Sequence, residues 1–422
     1  MLTIASLGFS ALVGIAAPAA EPADGAPVWV RDYVTEYAAH VERAGAPIPA
    51  WARKYKLDCS ACHWPAAPRL NGMGIQFRWA GYRMPDEIGQ KVDVTDVGNY
   101  MAIRGRMRYD YDKTQGVPAT SQFTWNDVTL FYSGPFGKNY SGFFELERAA
   151  EDELEIVTSF ASAWGKSGSY GGLRAGVMHW LLRDGTAGFD RPTGIRTPTP
   201  FGTPITSAIP FRFSNDQLGV EAYYVRGRNR FSAQVLNGIN NAGSGTATDP
   251  NTNRDYVVTN QFLFNDQGSS ITAMGYYGTL VGLVASAPAD KSHFWRVGGS
   301  ANWIIQKLEL MGGVAYGKDT DLPTTGAGSF ATAEQTGLGY WAQGQYSFPV
   351  QNTLWTLFGR YEFVDPNTDV AGNGSKRFVV GTVLPVNLPE YLRLAVEYAH
   401  DLKQAAGAPK RNGVTGEVML NF

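Results

Sequence analysis

The residues of this chain best suited to chemistry form one short run, Cys59-Ser60-Ala61-Cys62-His63. Cys59 and Cys62 are its 2 cysteines, and a histidine follows the second directly. Cys-x-x-Cys-His is the attachment signature of a c-type haem. Two residues between the thiols, in a helical turn, let both sulfurs reach the two vinyl groups of one porphyrin, with the adjacent imidazole under the iron. The spacing therefore assigns Cys59 and Cys62 to covalent attachment of one haem c and His63 to axial ligation of its iron. Three other chemistries fit less well. A disulfide across so short a gap is strained and favours redox exchange over stability. A thioredoxin-like site calls for strand-helix-strand surroundings, which this Pro- and Ala-rich neighbourhood does not offer. A zinc site needs further Cys or His ligands nearby, yet His40, His63, His179, His293 and His400 are scattered.

Three residues are candidates for the sixth iron ligand: Met84, Met73 and His40. Met73 lies on an expected helix from Arg69 to Gly81, along which Leu70, Phe77 and Tyr82 form the expected haem-packing side. Met84 comes after the Gly81-Tyr82 turn, where the chain has room to fold back over the opposite haem face, and is preferred. Core packing is the competing role for either methionine. A thioether raises the haem potential relative to a second imidazole, so ligation by His40 predicts a lower-potential centre.

The elements that position this run must be built from unusual material. The 422-residue chain is only 18% charged, with 49 glycines and 13% aromatic residues, a mixture suited to many strands, tight turns and interfacial rings. Its net charge of −2 offers no broad attraction to nucleic acid. Residues 1-20 form an apolar run ending in small residues, the pattern of a secretory signal peptide, although no Lys or Arg precedes it. Beyond it no apolar stretch of about twenty residues occurs, so a mature chain in a membrane crosses it with strands.

From about residue 99 apolar and polar residues alternate in segments divided by Gly, Pro, Asn and Asp, which is a strand pattern. Leu392, Leu394, Val396 and Tyr398 share one face; Arg393 and Glu397 share the other. Trp295, Val297 and Trp303 oppose Arg296, Ser300 and Asn302, and Arg104, Arg106 and Arg108 alternate with Ile103 and Met107. A soluble sandwich puts the apolar face inside, whereas a membrane barrel turns it to lipid and lines a wet lumen with charge. Connection lengths separate the two. Short turns near 134-137, 166-169, 226-228, 265-268, 305-307, 348-350 and 386-389 alternate with long connections near 112-120, 149-153, 183-215, 240-254, 283-291, 319-336, 365-374 and 402-411, provided that 205-214 is loop. That count predicts sixteen antiparallel strands with both barrel ends on the periplasmic side. The last segment alternates and finishes in Phe422, as barrel-insertion signals do. Inward Glu145, Glu147, Arg360, Glu362 and Glu417 are expected to pair with one another or with water.

With a signal, one Cys-x-x-Cys-His and then a sixteen-strand barrel, the chain resembles the fused monohaem cytochrome-porins, whose best-known members are outer-membrane iron oxidases. The local likeness covers Ile48-Pro49-Ala50-Trp51-Ala52-Arg53, then Pro68-Arg69-Leu70-Asn71-Gly72-Met73-Gly74 through Phe77 to Gly81-Tyr82. Trp51 and Met73 depart from the residues usual in that family. The resemblance implies a mainly β protein: a signal peptide at 1-20, an α-helical monohaem cytochrome c domain and linker at 21-98 plugging the lumen, and an outer-membrane barrel at 99-422. It further implies electron transfer across the outer membrane, with extracellular Fe(II) as a donor and a periplasmic carrier such as a soluble cytochrome c as acceptor. Glu151, Asp152, Glu153 and Glu155 offer hard oxygen ligands near the expected entrance, though a solvated acidic loop is the favoured account of them. Two other functions compete: a diffusion porin with a structural or sensory haem plug, and a haem peroxidase, which needs an open iron position and a distal acid-base residue.

Overall fold

The computed structural model describes residues 50-55, 57, 61-63, 69-93, 95, 97-149, 154-178, 192-214, 216-238, 252-281, 291-323, 330-350, 353-385, 392-403 and 408-421. Alternation from Met101 onward produces an antiparallel meander: β1 (Met101–Thr114), β2 (Thr120–Pro135), β3 (Tyr140–Ala149), β4 (Leu154–Ser162), β5 (Trp164–Lys166), β6 (Ser169–Met178), β7 (Gln217–Arg226), β8 (Asn229–Leu236) and β9 (Asp255–Leu263). It continues through β10 (Ser270–Val281), β11 (Lys291–Ile305), β12 (Leu308–Pro323), β13 (Phe330–Val350), β14 (Thr353–Asp365), β15 (Ser375–Pro385), β16 (Leu392–Lys403) and β17 (Arg411–Asn421). β4 and β5 both pair with β6 and are one wall strand interrupted at Ala163, so the wall has sixteen strands. Pairing of β1 with β17, from Arg104 opposite Asn421 to Thr114 opposite Arg411, closes the barrel and removes the open sheet edges that lipid would leave unsatisfied.

Exposure settles which way the alternation faces. Arg296 is 0% exposed whereas Trp303, on the same strand, is 49% exposed. On β16 Arg393 and Glu397 are buried and Val396 and Tyr398 exposed. Charge points inward and apolar side chains point out, the inverse of a soluble sandwich. Aromatic contacts on the outer face gather toward both rims: Tyr140 with Trp164 and Phe264 with Trp303 at one, Tyr109 with Phe123 and Tyr340 with Phe363 at the other. These are the girdles expected at two membrane interfaces.

Short turns lie at one end, at residues 136-139, 167-168, 227-228, 264-269 and 306-307. β1 starts and β17 finishes at this end. Residues 348-350, expected as a turn, instead complete β13: Pro349 lies opposite Leu354 and Val350 opposite Thr353, so cross-strand pairing runs on past the apolar stretch. Likewise 112-114 and 319-323 extend β1 and β12, because cross-strand pairing continues into polar sequence. The stretch 205-214 is indeed not a strand.

Two inserts occupy the lumen. One includes α1 (Ala50–Tyr55), α2 (Gly72–Trp79) and short 3-10 turns at Pro85–Glu87 and Val97–Tyr100. The other, residues 192-214 with the helical turn α3 (Thr199–Gly202), lies between β6 and β7. The first is held to the short-turn end: Arg83 donates to the carbonyls of Gly137, Lys138 and Tyr140, and Gly72 N–H to that of Asp266. The second packs Phe201, Ile205, Ile209, Phe211 and Phe213 against inward Met274, Tyr276, Phe294, Met311 and Trp341. Its backbone N–H groups are met by wall carboxylates: Ile195 and Arg196 by Glu397, Thr199 by Glu362 and Ile209 by Asp319. Without them a loop inside a barrel would bury orphan donors. Among described residues no helix is long and apolar enough to cross a membrane.

Candidate functional site

The chemistry-bearing run is placed by the segment on its C-terminal side. Asn71 caps α2, accepting from Gly74 N–H at 3.0 Å, as an extended residue with a short polar side chain does at a helix start. The same residue reaches back: its N–H donates to Cys62 O at 2.9 Å and its Nδ2 to Ala61 O at 3.0 Å. A Cβ on Gly74 would stand 2.3 Å from Cys62 O, so only glycine permits this approach. His63 and Leu70 form an isolated antiparallel bridge. Ala61, Cys62 and His63 are thus stapled to the first turn of α2 as one unit.

His63 Nδ1 lies 3.0 Å from the carbonyl oxygen of Arg69. A carbonyl only accepts, so Nδ1 carries the proton and Nε2 bears the lone pair. That tautomer, with Nδ1–H held by a backbone carbonyl, is the one an imidazole needs to ligate iron. Burial pushes the Cys62 thiol up to about 11, whereas reactive dithiol sites hold lowered thiols. The residues present therefore fit attachment of a haem better than thiol-disulfide exchange. Cys59 and His40 lie outside the described residues.

Met73 is half-buried on α2, flanked by two glycines that abut the β9-β10 turn and Cys62. Met84 packs against a cluster made by Phe77, Tyr82, Phe143, Val157 and Val177 with Trp51 and Tyr55. Phe77 and Tyr82, expected as haem-packing groups, are engaged there: Trp51 stacks on Tyr82 at 5.4 Å and Tyr82 on Phe143 of β3 at 5.5 Å. Tyr82 holds φ 61° at the end of α2, which turns its ring onto the wall. Trp51 Nε1 donates to Ser133 O at 2.8 Å, and Tyr55 donates to Glu87 Oε2 at 2.7 Å. Burial and that carboxylate raise the Tyr55 phenol well above its ordinary range.

Sequence reasoning passed over the groups that seat this unit. Arg69 and Glu309 of β12 are each 1% exposed and form an ion pair. Asn71, expected inside a helix starting at Arg69, instead caps one that starts at Gly72, and its short polar side chain was the signal for that cap; Glu309 carried no signal beyond facing inward.

Half-buried charges line the wall from β1 to β3. Arg104 lies 3.4 Å from Glu145 and 3.1 Å from Glu147, also meets Asp127, and its guanidinium covers the Phe131 ring; Arg108 meets Glu417 at 2.8 Å. Arg360 pairs with Glu362 at 2.6 Å. Of the five inward charges expected to pair with one another or with water, Arg360 and Glu362 pair together, whereas Glu145 and Glu147 meet Arg104 and Glu417 meets Arg108. Of the acidic group at 151-155 only Glu155 is described; it is exposed and lies opposite Glu147. Among described residues no three metal-ligating side chains converge.

In fold the chain is similar to solved outer-membrane barrels. The anion-selective porin from Comamonas acidovorans gives a TM-score of 0.53 at 12% identity, over 76% of this chain and 98% of that one. Salmonella typhi OmpF in complex with daunomycin gives 0.52 at 13%, over 76% and 97%. The outer membrane channel DcaP of Acinetobacter baumannii gives 0.50 at 14%, over 79% and 100%. No known family and no curated protein matches the sequence. At such identity the likeness concerns architecture alone: with its closed wall and inverted faces, the chain has the fold of a sixteen-strand barrel similar to those of outer-membrane porins.

Proposed function

We propose that this barrel is a single-haem electron carrier of the outer membrane. The observation that carries the reading is the His63 Nδ1 to Arg69 carbonyl contact within a Cys-x-x-Cys-His run anchored inside the lumen. When bound, a c-type haem supplies a one-electron ferric/ferrous couple. Cys59 and Cys62 would hold it by thioether bonds and His63 by its Nε2, with Met84, Met73 or His40 as the candidate second ligand to its iron. The aromatic cluster of Trp51, Phe77 and Tyr82 packs on inward Phe143, Val157 and Val177 of the wall, and the 192-214 insert packs on inward Met274, Tyr276 and Phe294. Short turns, the N-terminus and the C-terminus are assigned to the periplasm, where a soluble cytochrome-like carrier exchanges electrons; extracellular Fe(II) is the proposed donor.

The test is anaerobic addition of Fe(II) to the oxidised, purified protein while the haem reduction band is followed. Reduction supports the assignment; its absence at every pH removes Fe(II) as donor. Covalent haem missing from the outer-membrane fraction would remove the electron-transfer reading itself.

A diffusion porin with a structural haem plug is the second reading. The half-buried lane of Arg104, Arg106, Glu145 and Glu147 and the likeness to porins favour it. Steady solute conductance through haem-loaded protein in planar bilayers would select it.

A further inference from the structure

The residue that offers its carbonyl to His63 is itself bound to the barrel wall. The Arg69 Nη2 donates to Glu309 Oε1 on β12, and both side chains are 1% exposed. Glu309 is held in turn: Asn302 of β11 donates to the same oxygen at 2.8 Å, and Gln345 of β13 donates to Oε2 at 2.7 Å. A second grip acts nearby on the same segment. Gly72 N–H donates to Asp266 O at 3.1 Å, and Gly268, at φ +99°, lies so close that an added Cβ would meet Asn71 Cα at 2.9 Å. Asn302 Nδ2 also donates to Gly268 O, so the turn and the carboxylate share one support.

We propose that Glu309 is a positioning residue for His63: the barrel wall, through Arg69, sets the direction and strength of the hydrogen bond at Nδ1. This rests on the haem reading above. A buried ion pair with three donors on the carboxylate is costly to break singly, so the pair holds the Arg69 backbone in one place. A carbonyl held firmly on Nδ1–H makes the imidazole a stronger donor to iron and favours the ferric state. The wall thereby tunes the couple from outside the haem-binding run, without touching the haem.

The experiment compares the full-length wild type with Glu309→Gln, Glu309→Ala and Gly268→Ala in detergent, with Asp401→Asn, which breaks the Arg377–Asp401 pair elsewhere in the wall, as a control. Covalent haem per chain, the equilibrium potential and the electron paramagnetic resonance of the ferric state are measured. Haem content should persist. In the Glu309 and Gly268 variants the ferrous-to-ferric ratio at fixed potential should rise by up to about tenfold, which is about 59 mV for one electron, with altered resonance; Asp401→Asn should match wild type. If Glu309→Ala fails to assemble, the two milder variants decide. Haem-loaded variants with wild-type potential and resonance would overturn the inference and leave the haem reading standing. A wild-type protein without covalent haem would overturn both.

Discussion

Trp79 Nε1 donates to Gln261 Oε1 across 3.1 Å, pinning the end of α2 to β9 from inside the barrel. Trp79 is 1% exposed and packs with Ile75, Ala80 and Ile88 against inward Tyr170, Tyr223 and Leu263. Trp79→Ala should cost about 3–5 kcal/mol of plug docking with little change in the sixteen-strand wall. Limited proteolysis of the purified protein should then cut within 50-100 much faster, while the barrel keeps its heat-modifiable migration on gels. Equal protection in both proteins would contradict this.

Haem attachment has a direct chemical test. Cys62→Ser and Cys59→Ser should each reduce covalent haem staining sharply without preventing barrel assembly, since neither residue belongs to a wall strand. His63→Ala should retain stain but lose the low-spin spectrum. A low-spin, six-coordinate spectrum in the wild type would also exclude the peroxidase reading.

In a Cys59→Ser protein prepared without haem, Cys62 is the one thiol left in the chain to alkylate. Its folded-state value is raised, so the thiolate is scarce below about pH 11. Alkylation should therefore climb about tenfold per pH unit well past pH 8.5, the ordinary thiol midpoint, and level only near 11. A plateau at pH 8.5 would show an exposed thiol.

Glu397 accepts from the N–H groups of Ile195 at 2.7 Å and Arg196 at 3.0 Å. Charge-assisted bonds of this sort are worth about 1.5–3 kcal/mol each. Glu397→Gln should loosen the 192-214 insert and raise single-channel conductance in planar bilayers severalfold. Arg104→Gln should leave Glu145 and Glu147 short of a counter-charge and shift the reversal potential toward cation selectivity. Unchanged conductance and selectivity would mean that ions do not pass this lane.

Val314, halfway along β12, is 49% exposed on the outer face. Val314→Arg should cost about 2–4 kcal/mol of insertion at the bilayer midplane, read as a lower folded fraction in lipid vesicles during denaturant titration. A cost near zero would place this face away from lipid.

Strand identity, count and facing were legible because a side-chain period of two repeats over most of the chain, and because short and long connections alternate. Individual boundaries were less legible: Thr114, Pro323 and Val350 sit in strands although their neighbours read as turn, since cross-strand hydrogen bonding extends a ladder beyond its apolar stretch. That inward Glu147 and Glu417 would be paired followed from facing; that their partners would be Arg104 and Arg108, and that Arg104 would also cover Phe131, depended on register and barrel closure.

Around the motif the division is sharper. The haem chemistry expected of Cys59, Cys62 and His63 rests on local spacing, which needs no distant partner. The carbonyl of Arg69 on His63, the clasp of Gly268 on Asn71 and the Arg69–Glu309 pair join residues up to 240 positions apart. No local period records such contacts, because they depend on which wall strands curve round to meet the plug. By itself the sequence determined the haem signature and the inside-out alternation of a barrel. Only the tertiary structure decided that the signature is seated on the inner wall, where buried charge and close backbone contact hold its histidine.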